Sequence, residues 1–268
     1  MDILKQLCDY AEARVTEKKK QIPLEAIKAM ADSDDLPARP SFLEAMKQPG
    51  MSFICECKKA SPSRGMIDPV FDYRKIAVDY EAAGADAISC LTEPELFLGS
   101  DTYLKEIAEI VNLPVLRKDF VVDPYMIYEA KVLGASAVLL IVSALSEAQL
   151  KEYLAVCEEI GLDALTETHS EAEAELALRC GAKILGVNNR NLRNFEVDVT
   201  TSRRIRSLLS DDAVMIAESG LKTREDIRLL EEAGIDAVLI GETMMKASDK
   251  REMLRILKGE QQNDSRSN

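Results

Sequence analysis

A phrase recurs along this chain: a helical pattern of apolar residues ends in glycine, takes a small or polar step, and enters an apolar run. It stands at Ala83-Gly84-Ala85-Asp86-Ala87-Ile88, Leu133-Gly134-Ala135-Ser136-Ala137-Val138, Ile160-Gly161-Leu162-Asp163-Ala164-Leu165, Cys180-Gly181-Ala182-Lys183-Ile184-Leu185 and Ala233-Gly234-Ile235-Asp236-Ala237-Val238. Each glycine can take the left-handed conformation that closes a helix and turns the chain into a strand. The glycines lie 50, 27, 20 and 53 residues apart, which fits a unit of about 25 if each long gap hides a junction without glycine. Both junctions are present, as Val111-Asn112-Leu113-Pro114 before Val115-Leu116 and as Ser210-Asp211-Asp212 before Val214-Met215-Ile216. With an opening strand at Phe53, the pattern predicts strands over 53–58, 87–91, 115–118, 137–142, 164–167, 184–188, 214–217 and 237–240. Helical periodicity fills the intervals near 73–83, 102–111, 124–133, 146–160, 170–180, 200–209 and 223–233, with a last helix near 249–258.

Strict alternation of strand and helix demands parallel strands with helical crossovers, and eight such units predict an α/β chain folded as a (β/α)8 TIM barrel. An open, doubly wound sheet competes, but no G-x-G-x-x-G follows the first strand and the eight units are nearly equal in length. Residues 1–48 read as a helical extension packed on the barrel, with Pro37 and Pro40 marking the bend before it. The barrel is expected over 49–258, and the polar tail 259–268 is expected to fray.

Composition narrows the partners. At 268 residues and 47% apolar, the chain can bury a sizeable core. Its 34 Lys and Arg against 47 Asp and Glu give a net charge of −13, and the basic residues are scattered among carboxylates, which argues against nucleic acid. The one basic run, Lys18-Lys19-Lys20, reads as a solvated helix face. The longest apolar stretch, Ala137 to Leu145, falls well short of the roughly 18 residues of a membrane span. The opening Met1-Asp2-Ile3-Leu4-Lys5-Gln6 has no secretory apolar core, so the cytoplasm is the expected location. Six cysteines without a C-x-x-C, and His169 as the only histidine, argue against a structural metal or thiol redox chemistry. Cys55 and Cys57 share one face of the first strand as small packing residues.

In such a barrel the chemistry sits at the C-terminal ends of the strands. Strand 1 ends with Glu56 and Lys58, which alternation turns to the face opposite Cys55 and Cys57, inside the barrel. Strand 3 ends Arg117-Lys118-Asp119, strand 5 in Glu167, strand 6 in Asn188-Asn189-Arg190 and strand 7 in Glu218-Ser219-Gly220. Ions buried together in a barrel mouth cost several kcal/mol each unless they pair, so this set is expected to be functional. A lysine and a glutamate converging there can act as general acid and base; which is which does not follow from spacing. Ser219-Gly220 and Gly241-Glu242, the latter leading into a short helical stretch, fit a phosphate cup of backbone N–H groups after strands 7 and 8. A phosphorylated small molecule is the expected substrate. Lys59 and Arg64, in the loop after strand 1, are placed to attract it, and His169 reads as a capping or surface residue.

These strand ends resemble the indole-3-glycerol phosphate synthase family. The resemblance covers nearly the whole chain, including the helical extension. It rests on Glu56-Cys57-Lys58-Lys59-Ala60-Ser61-Pro62-Ser63, Leu91-Thr92-Glu93 with Phe97-Leu98-Gly99-Ser100, and Val115-Leu116-Arg117-Lys118-Asp119-Phe120 with Asp123-Pro124-Tyr125. It continues through Glu167-Thr168-His169, Gly186-Val187-Asn188-Asn189-Arg190-Asn191-Leu192, Ala217-Glu218-Ser219-Gly220 and Ile240-Gly241-Glu242. It implies conversion of 1-(2-carboxyphenylamino)-1-deoxyribulose 5-phosphate to indole-3-glycerol phosphate, with loss of CO₂ and water and with no metal or organic cofactor. By resemblance Lys118 is the general acid and Glu167 the general base, while Lys58 holds the substrate carboxylate and donates a proton as water leaves. Glu56 and Asn188 would position the hydroxyls and lysines, with Arg190 as a partner of Glu56. Ser61 would contact the substrate, Phe97, Phe120 and Leu192 would form the slot for the benzoate ring, and Ser219, Gly220, Gly241 and Glu242 the phosphate cup. Cys57, Thr166 and Thr168 depart from the branched aliphatics usual in the family; alternation turns them away from the site.

Two other readings compete. One is a barrel acting on another sugar phosphate, as an isomerase of an aminoribulose phosphate or a Schiff-base aldolase using Lys118. The other is a non-catalytic sugar-phosphate module, which predicts a degraded site, whereas every expected acid–base residue is present. The helical ring is compatible with a monomer or a dimer, and weak association with other tryptophan-pathway enzymes is left open beside it.

Overall fold

The computed structural model describes residues 3–191, 195–207 and 213–260. Eight parallel strands close a barrel: β1 (Ser52–Cys57), β2 (Ala87–Leu91), β3 (Val115–Lys118), β4 (Ala137–Ile141), β5 (Asp163–Thr168), β6 (Ile184–Asn188), β7 (Val214–Glu218) and β8 (Ala237–Ile240). Each pairs with the next, and β8 closes on β1 through Ser52↔Ala237 to Cys55↔Ile240. The strands are buried on both faces, between the barrel interior and the surrounding helices, which is why they read as near-continuous apolar runs. All eight predicted strands form, within a residue at either end. The apolar run after β4 leaves the sheet at Val142, where a 3-10 turn, Val142–Ala144, replaces the last predicted strand residue.

Local chemistry closes and opens the helices as the sequence implies. The five glycines of the recurring phrase all have positive φ, from 66° to 96°. At the other ends, Asp72, Ser100, Asp123, Ser146, Ser170, Thr223 and Asp249 each accept a backbone N–H in the first turn of the helix that follows. One element of the loop after β1 escapes periodicity because each arm is two residues long: a hairpin of Ala60–Ser61 with Gly65–Met66.

Three helices precede the barrel, Ile3–Gln21, Leu24–Ala31 and Phe42–Met46. The first is docked by charge, and here the expectation of a solvated Lys18-Lys19-Lys20 face is corrected. Lys18 pairs with Asp101 and with Glu129 at 2.7 Å, and Lys19 with Asp123 at 2.6 Å; only Lys20 stays on its own helix, with Glu17. The cause is helical spacing, which puts Arg14 and Lys18 on one face, toward acidic groups of the barrel. Arg14 reaches Asp119 at 2.7 Å.

Behind β3, Arg117 is fully buried and turned outward, opposite to Lys118. Its guanidinium donates to Asp101 and Glu129 (2.8 Å each), the Met126 carbonyl (3.0 Å) and Thr92 Oγ1 (3.2 Å), so the charge is compensated on all sides. The outward residues of β5 are less well served. Thr168 Oγ1 donates to the Gly186 carbonyl at 3.0 Å, whereas Thr166 Oγ1 is buried without a partner among the described residues. No helix among the described residues is long and apolar enough to cross a membrane.

Candidate active site

Alternation along β1, β3, β5 and β7 sends Glu56, Lys118, Glu167 and Glu218 into the same end of the barrel. Lys118 is the hub. Its Nζ donates to Glu167 Oε2 at 2.9 Å and to Glu218 Oε2 at 2.6 Å, joining residues 49 and 100 positions away. Lys58 pairs with Glu56 in the same mouth. Asn188 Nδ2 donates to Glu167 Oε1 at 3.3 Å, and Asn188 Oδ1 accepts the Arg190 N–H at 3.0 Å.

Two glycines make this crowding feasible. A Cβ at Gly186 would overlap Glu218 Oε1 and come 3.0 Å from Leu165, and a Cβ at Gly241 would overlap Glu56 Oε2 and come 2.9 Å from Lys58 Nζ. The carboxylates occupy the space that side chains at these positions would take.

Burial and proximity set the proton affinities. Burial alone would push the Lys118 ammonium down, but the carboxylates of Glu167, Glu218 and Glu56 outweigh it and hold Lys118 well above the usual lysine range. Glu167 is also penalised by burial, yet Lys118, His169 and the Asn188 amide keep it below the usual range. Glu218 goes the other way. Burial, with repulsion from Glu167 and Glu56, pushes it up to about 7 against the pull of Lys118. The site thus holds a loaded proton donor, an ionised carboxylate and a carboxyl poised near neutrality.

These groups line a cavity of about 690 Å³. Phe97 and Phe120 face each other across one wall with ring centroids 6.1 Å apart, and Leu139, Ile141 and Leu239 add apolar surface. Ile3, Leu4 and Leu7 reach in from the first helix. Ser61 lines the mouth from the hairpin, and Arg64 beside it pairs with Glu242 at 3.1 Å. At the far side Ser219 and Gly220 have φ of 69° and 82°, a tight reversal that draws the backbone around the cavity next to Gly241 and Glu242. A left-handed serine costs about 1–2 kcal/mol, a strain characteristic of ligand sites. A second groove of about 950 Å³ lies on the opposite face, under residues 31–41; it carries charges of both signs and none of the convergent ions. Among the described residues no group of three or more His, Cys, Asp or Glu is arranged to hold a metal ion.

The fold gathers Glu56, Lys58, Ser61, Phe97, Lys118, Phe120, Glu167, Asn188, Arg190, Ser219, Gly220, Gly241 and Glu242 around one cavity. Leu192 lies outside the described residues. One expected contact is corrected: the ion partner of Glu56 is Lys58, whereas Arg190 is drawn toward the bridge it forms with Val197 and donates Nη1 to the Phe195 carbonyl at 3.4 Å. Sequence reasoning left Glu218 without a role, although its place at the end of β7 and the room opened by Gly186 both single it out. The expectation for His169 is a capping or surface residue. Its backbone N–H is indeed tied to Glu173 at 2.8 Å, but its ring lies against Glu167.

Comparison with known proteins agrees with this architecture. The family model for indole-3-glycerol phosphate synthase matches residues 4–257. The indole-3-glycerol phosphate synthase of Lachnoclostridium phytofermentans is 50% identical over 267 residues, covering 96% of this chain and 98% of that one. The one from Ruminiclostridium cellulolyticum is 48% identical over 257 residues, covering 96% and 99%. Among solved structures, an N-acetylmannosamine-6-phosphate 2-epimerase from Clostridium perfringens superposes with a TM-score of 0.62 at 14% identity, over 83% of this chain and 97% of that one, a likeness of fold alone. With a match that runs from the first helix to the last, the chain belongs to the indole-3-glycerol phosphate synthase family, carboxy-lyases of tryptophan biosynthesis.

Proposed function

We propose that this protein closes the indole ring of indole-3-glycerol phosphate from 1-(2-carboxyphenylamino)-1-deoxyribulose 5-phosphate, with release of CO₂ and water. The observation that carries the reading is Lys118 held as an ammonium between Glu167 and Glu218 in a cavity that also offers an aromatic wall. Ring closure puts negative charge on the substrate's carbonyl oxygen as the anilino ring carbon attacks. A cation fixed beside that oxygen stabilises the charge as it develops and hands over its proton once the oxygen is basic enough to take it. The high proton affinity of Lys118 keeps the donor loaded at neutral pH. Phe97 and Phe120 press the benzoate ring into a near-attack position, where orientation lowers the barrier.

Loss of CO₂ then restores the ring's conjugation, and water leaves from the former carbonyl carbon. Lys58 is placed to receive the substrate carboxylate and to protonate the departing hydroxyl, with Glu56 holding its ammonium in place. Glu167 takes the proton that must be lost for the indole double bond to form, and its ionised state suits it to that task. Asn188 and Arg190 orient the hydroxyl groups, and the backbone at Ser219, Gly220, Gly241 and Glu242 receives the phosphate. The Schiff-base alternative fares worse, because imine formation needs a neutral amine and Lys118 is held protonated by two carboxylates.

The test exploits the absence of tryptophan from the chain. Indole fluorescence should grow when the purified protein meets the carboxyphenylamino-deoxyribulose phosphate, and Lys118→Ala should abolish it while the circular dichroism of the barrel persists. Turnover by Lys118→Ala at the wild-type rate would remove the proposed acid. No emission from wild-type protein that still binds the compound would point to the non-catalytic reading.

A further inference from the structure

The only histidine of the chain touches the carboxylate read as the base. His169 follows β5 and precedes the N-cap Ser170 of the helix Glu171–Arg179, and its side chain is 17% exposed. Its two ring nitrogens face two carboxylates, Nε2 at 3.4 Å from Glu167 Oε1 and Nδ1 at 3.4 Å from Glu173 Oε2. Nε2 is buried and makes no aligned hydrogen bond, which leaves Glu167 as the acceptor within its reach. The outer carboxylate is itself anchored: Glu173 accepts the His169 backbone N–H at 2.8 Å while its own N–H caps on Ser170 Oγ at 3.3 Å, which fixes its place beside Nδ1 at the start of the helix.

Carboxylates only accept hydrogen bonds, and a neutral imidazole can donate from one nitrogen alone. A neutral His169 would therefore set a lone pair against one of its two neighbours, whereas the imidazolium presents a donor to each. The surrounding charges agree. Glu218 adds a further acidic group from β7; Lys118, from β3, is committed to the other oxygen of Glu167 at 2.9 Å; Asn188, from β6, is neutral. Arg204 of the helix Thr200–Arg206 is paired with Glu171. Burial pushes the imidazolium down, and Glu173, Glu167 and Glu218 together more than reverse this, so His169 sits above the usual histidine value.

We propose that His169 is a positioning residue of this site, an imidazolium strut between Glu173 and Glu167 that fixes the orientation of the Glu167 carboxylate toward the cavity. The proposal rests on the reading of Glu167 as the base. Lys118 secures Oε2, and without His169 the free oxygen Oε1 is steered by the Asn188 amide alone. A strut of this kind is lost on deprotonation. Because the folded value is raised, the imidazolium persists below it, and turnover acquires a falling limb on the alkaline side as pH rises through it.

Proton NMR tests the strut without any substrate, since one histidine gives one ring Cε1–H resonance. Its titration midpoint is expected above 6.5 in the wild type and should move down in Glu167→Gln and in Glu173→Gln. A midpoint at or below 6.5, or one that neither substitution moves, overturns the strut whether or not the ring-closure reading holds. Kinetics test its use. His169→Gln cannot titrate, and its kcat at pH 7 should fall about tenfold with KM nearly unchanged and with the alkaline limb gone. A kcat–pH profile that superimposes on the wild type would show that Glu167 is oriented without it. Should His169→Gln fail to fold, Glu173→Gln weakens the outer end of the strut, and the alkaline limb should then move to lower pH together with the ring's own midpoint; a limb that stays in place while the midpoint moves overturns the strut's use. Absence of turnover in the wild type itself counts against the ring-closure reading, and the NMR titration then decides the strut alone.

Discussion

At the residue scale, the site is a problem of packing three carboxylates around one lysine. Glu167 and Glu218 both accept from Lys118, yet one is driven below and the other above the ordinary carboxylate range. The difference lies in their other neighbours. Glu167 has the Asn188 amide and His169 on its second oxygen, whereas Glu218 Oε1 is buried with no partner among the described residues. Glu218 therefore has a pH cost that can be measured. Its folded value, about 7, lies above its unfolded value near 4.5, so the native state binds the extra proton. The stability this contributes is fully present below pH 4.5 and is lost as pH rises through about 7. Glu218→Gln is neutral throughout and should escape that loss. It is expected to raise the melting temperature by a few degrees at pH 8 and by little at pH 5, at roughly 2–4 °C per kcal/mol for a chain of this size. Turnover should fall, because Lys118 is left with Glu167 as its one hydrogen-bonded carboxylate among the described residues. Equal melting shifts at the two pH values would mean that Glu218 is ionised in the native protein at both.

At the scale of elements, the strands are scaffolds whose smallest residues matter as much as their charges. Gly186 on β6 has no side chain because Glu218 from β7 fills its place. Gly186→Ala is expected to cost about 1–3 kcal/mol through overpacking and to displace Glu218, lowering kcat about tenfold or more; melting temperature and the indole assay read the two effects separately. Wild-type turnover in that variant would show that Lys118 does not need Glu218 in its observed place. The sequence makes the elements legible for a plain reason. Strands buried on both faces must be apolar, and helices joined to them by left-handed turns end in glycine, so Gly84, Gly134, Gly161, Gly181 and Gly234 mark their own junctions. Charges at strand ends are equally visible, which is why Glu56, Lys58, Lys118 and Glu167 were located together. Their partners were not legible, since Lys118 meets residues 49 and 100 positions away and only the barrel's closure decides which oxygen it reaches. The same limit explains Lys18, whose partners Asp101 and Glu129 lie 83 and 111 positions away. Arg190 and His169 are a different case, since the Phe195 carbonyl and Glu167 lie only five and two positions from them and local conformation decides the contact.

At the scale of the whole molecule, the first helix is tied to the site through the residue next to the proposed acid. Asp119 follows Lys118 directly, is 1% exposed, and accepts from Thr92 Oγ1 at 2.7 Å and from Arg14 of that helix at 2.7 Å. Lys18 and Arg117 share Glu129 at 2.7 and 2.8 Å, and Ile3, Leu4 and Leu7 of the same helix line the cavity. The helix is thus a wall of the site, and its position is coupled to the end of β3. Arg14→Ala leaves the buried Asp119 carboxylate without its best-placed cation; Arg117 lies 3.9 Å away and is already spent on Asp101 and Glu129. A charge-assisted hydrogen bond of this kind contributes about 1.5–3 kcal/mol, so melting should fall by several degrees. The loss should also reach catalysis, because loosening the wall exposes the aromatic slot to water and frees the end of β3. KM is expected to rise and kcat to fall together. Lys20→Ala supplies the control, since Lys20 is exposed and, among the described residues, pairs with Glu17 of its own helix alone; it should change stability by no more than about 0.5 kcal/mol and leave turnover alone. An Arg14→Ala protein that melts lower but keeps wild-type KM and kcat would make the helix a brace for the barrel and not a part of its active site.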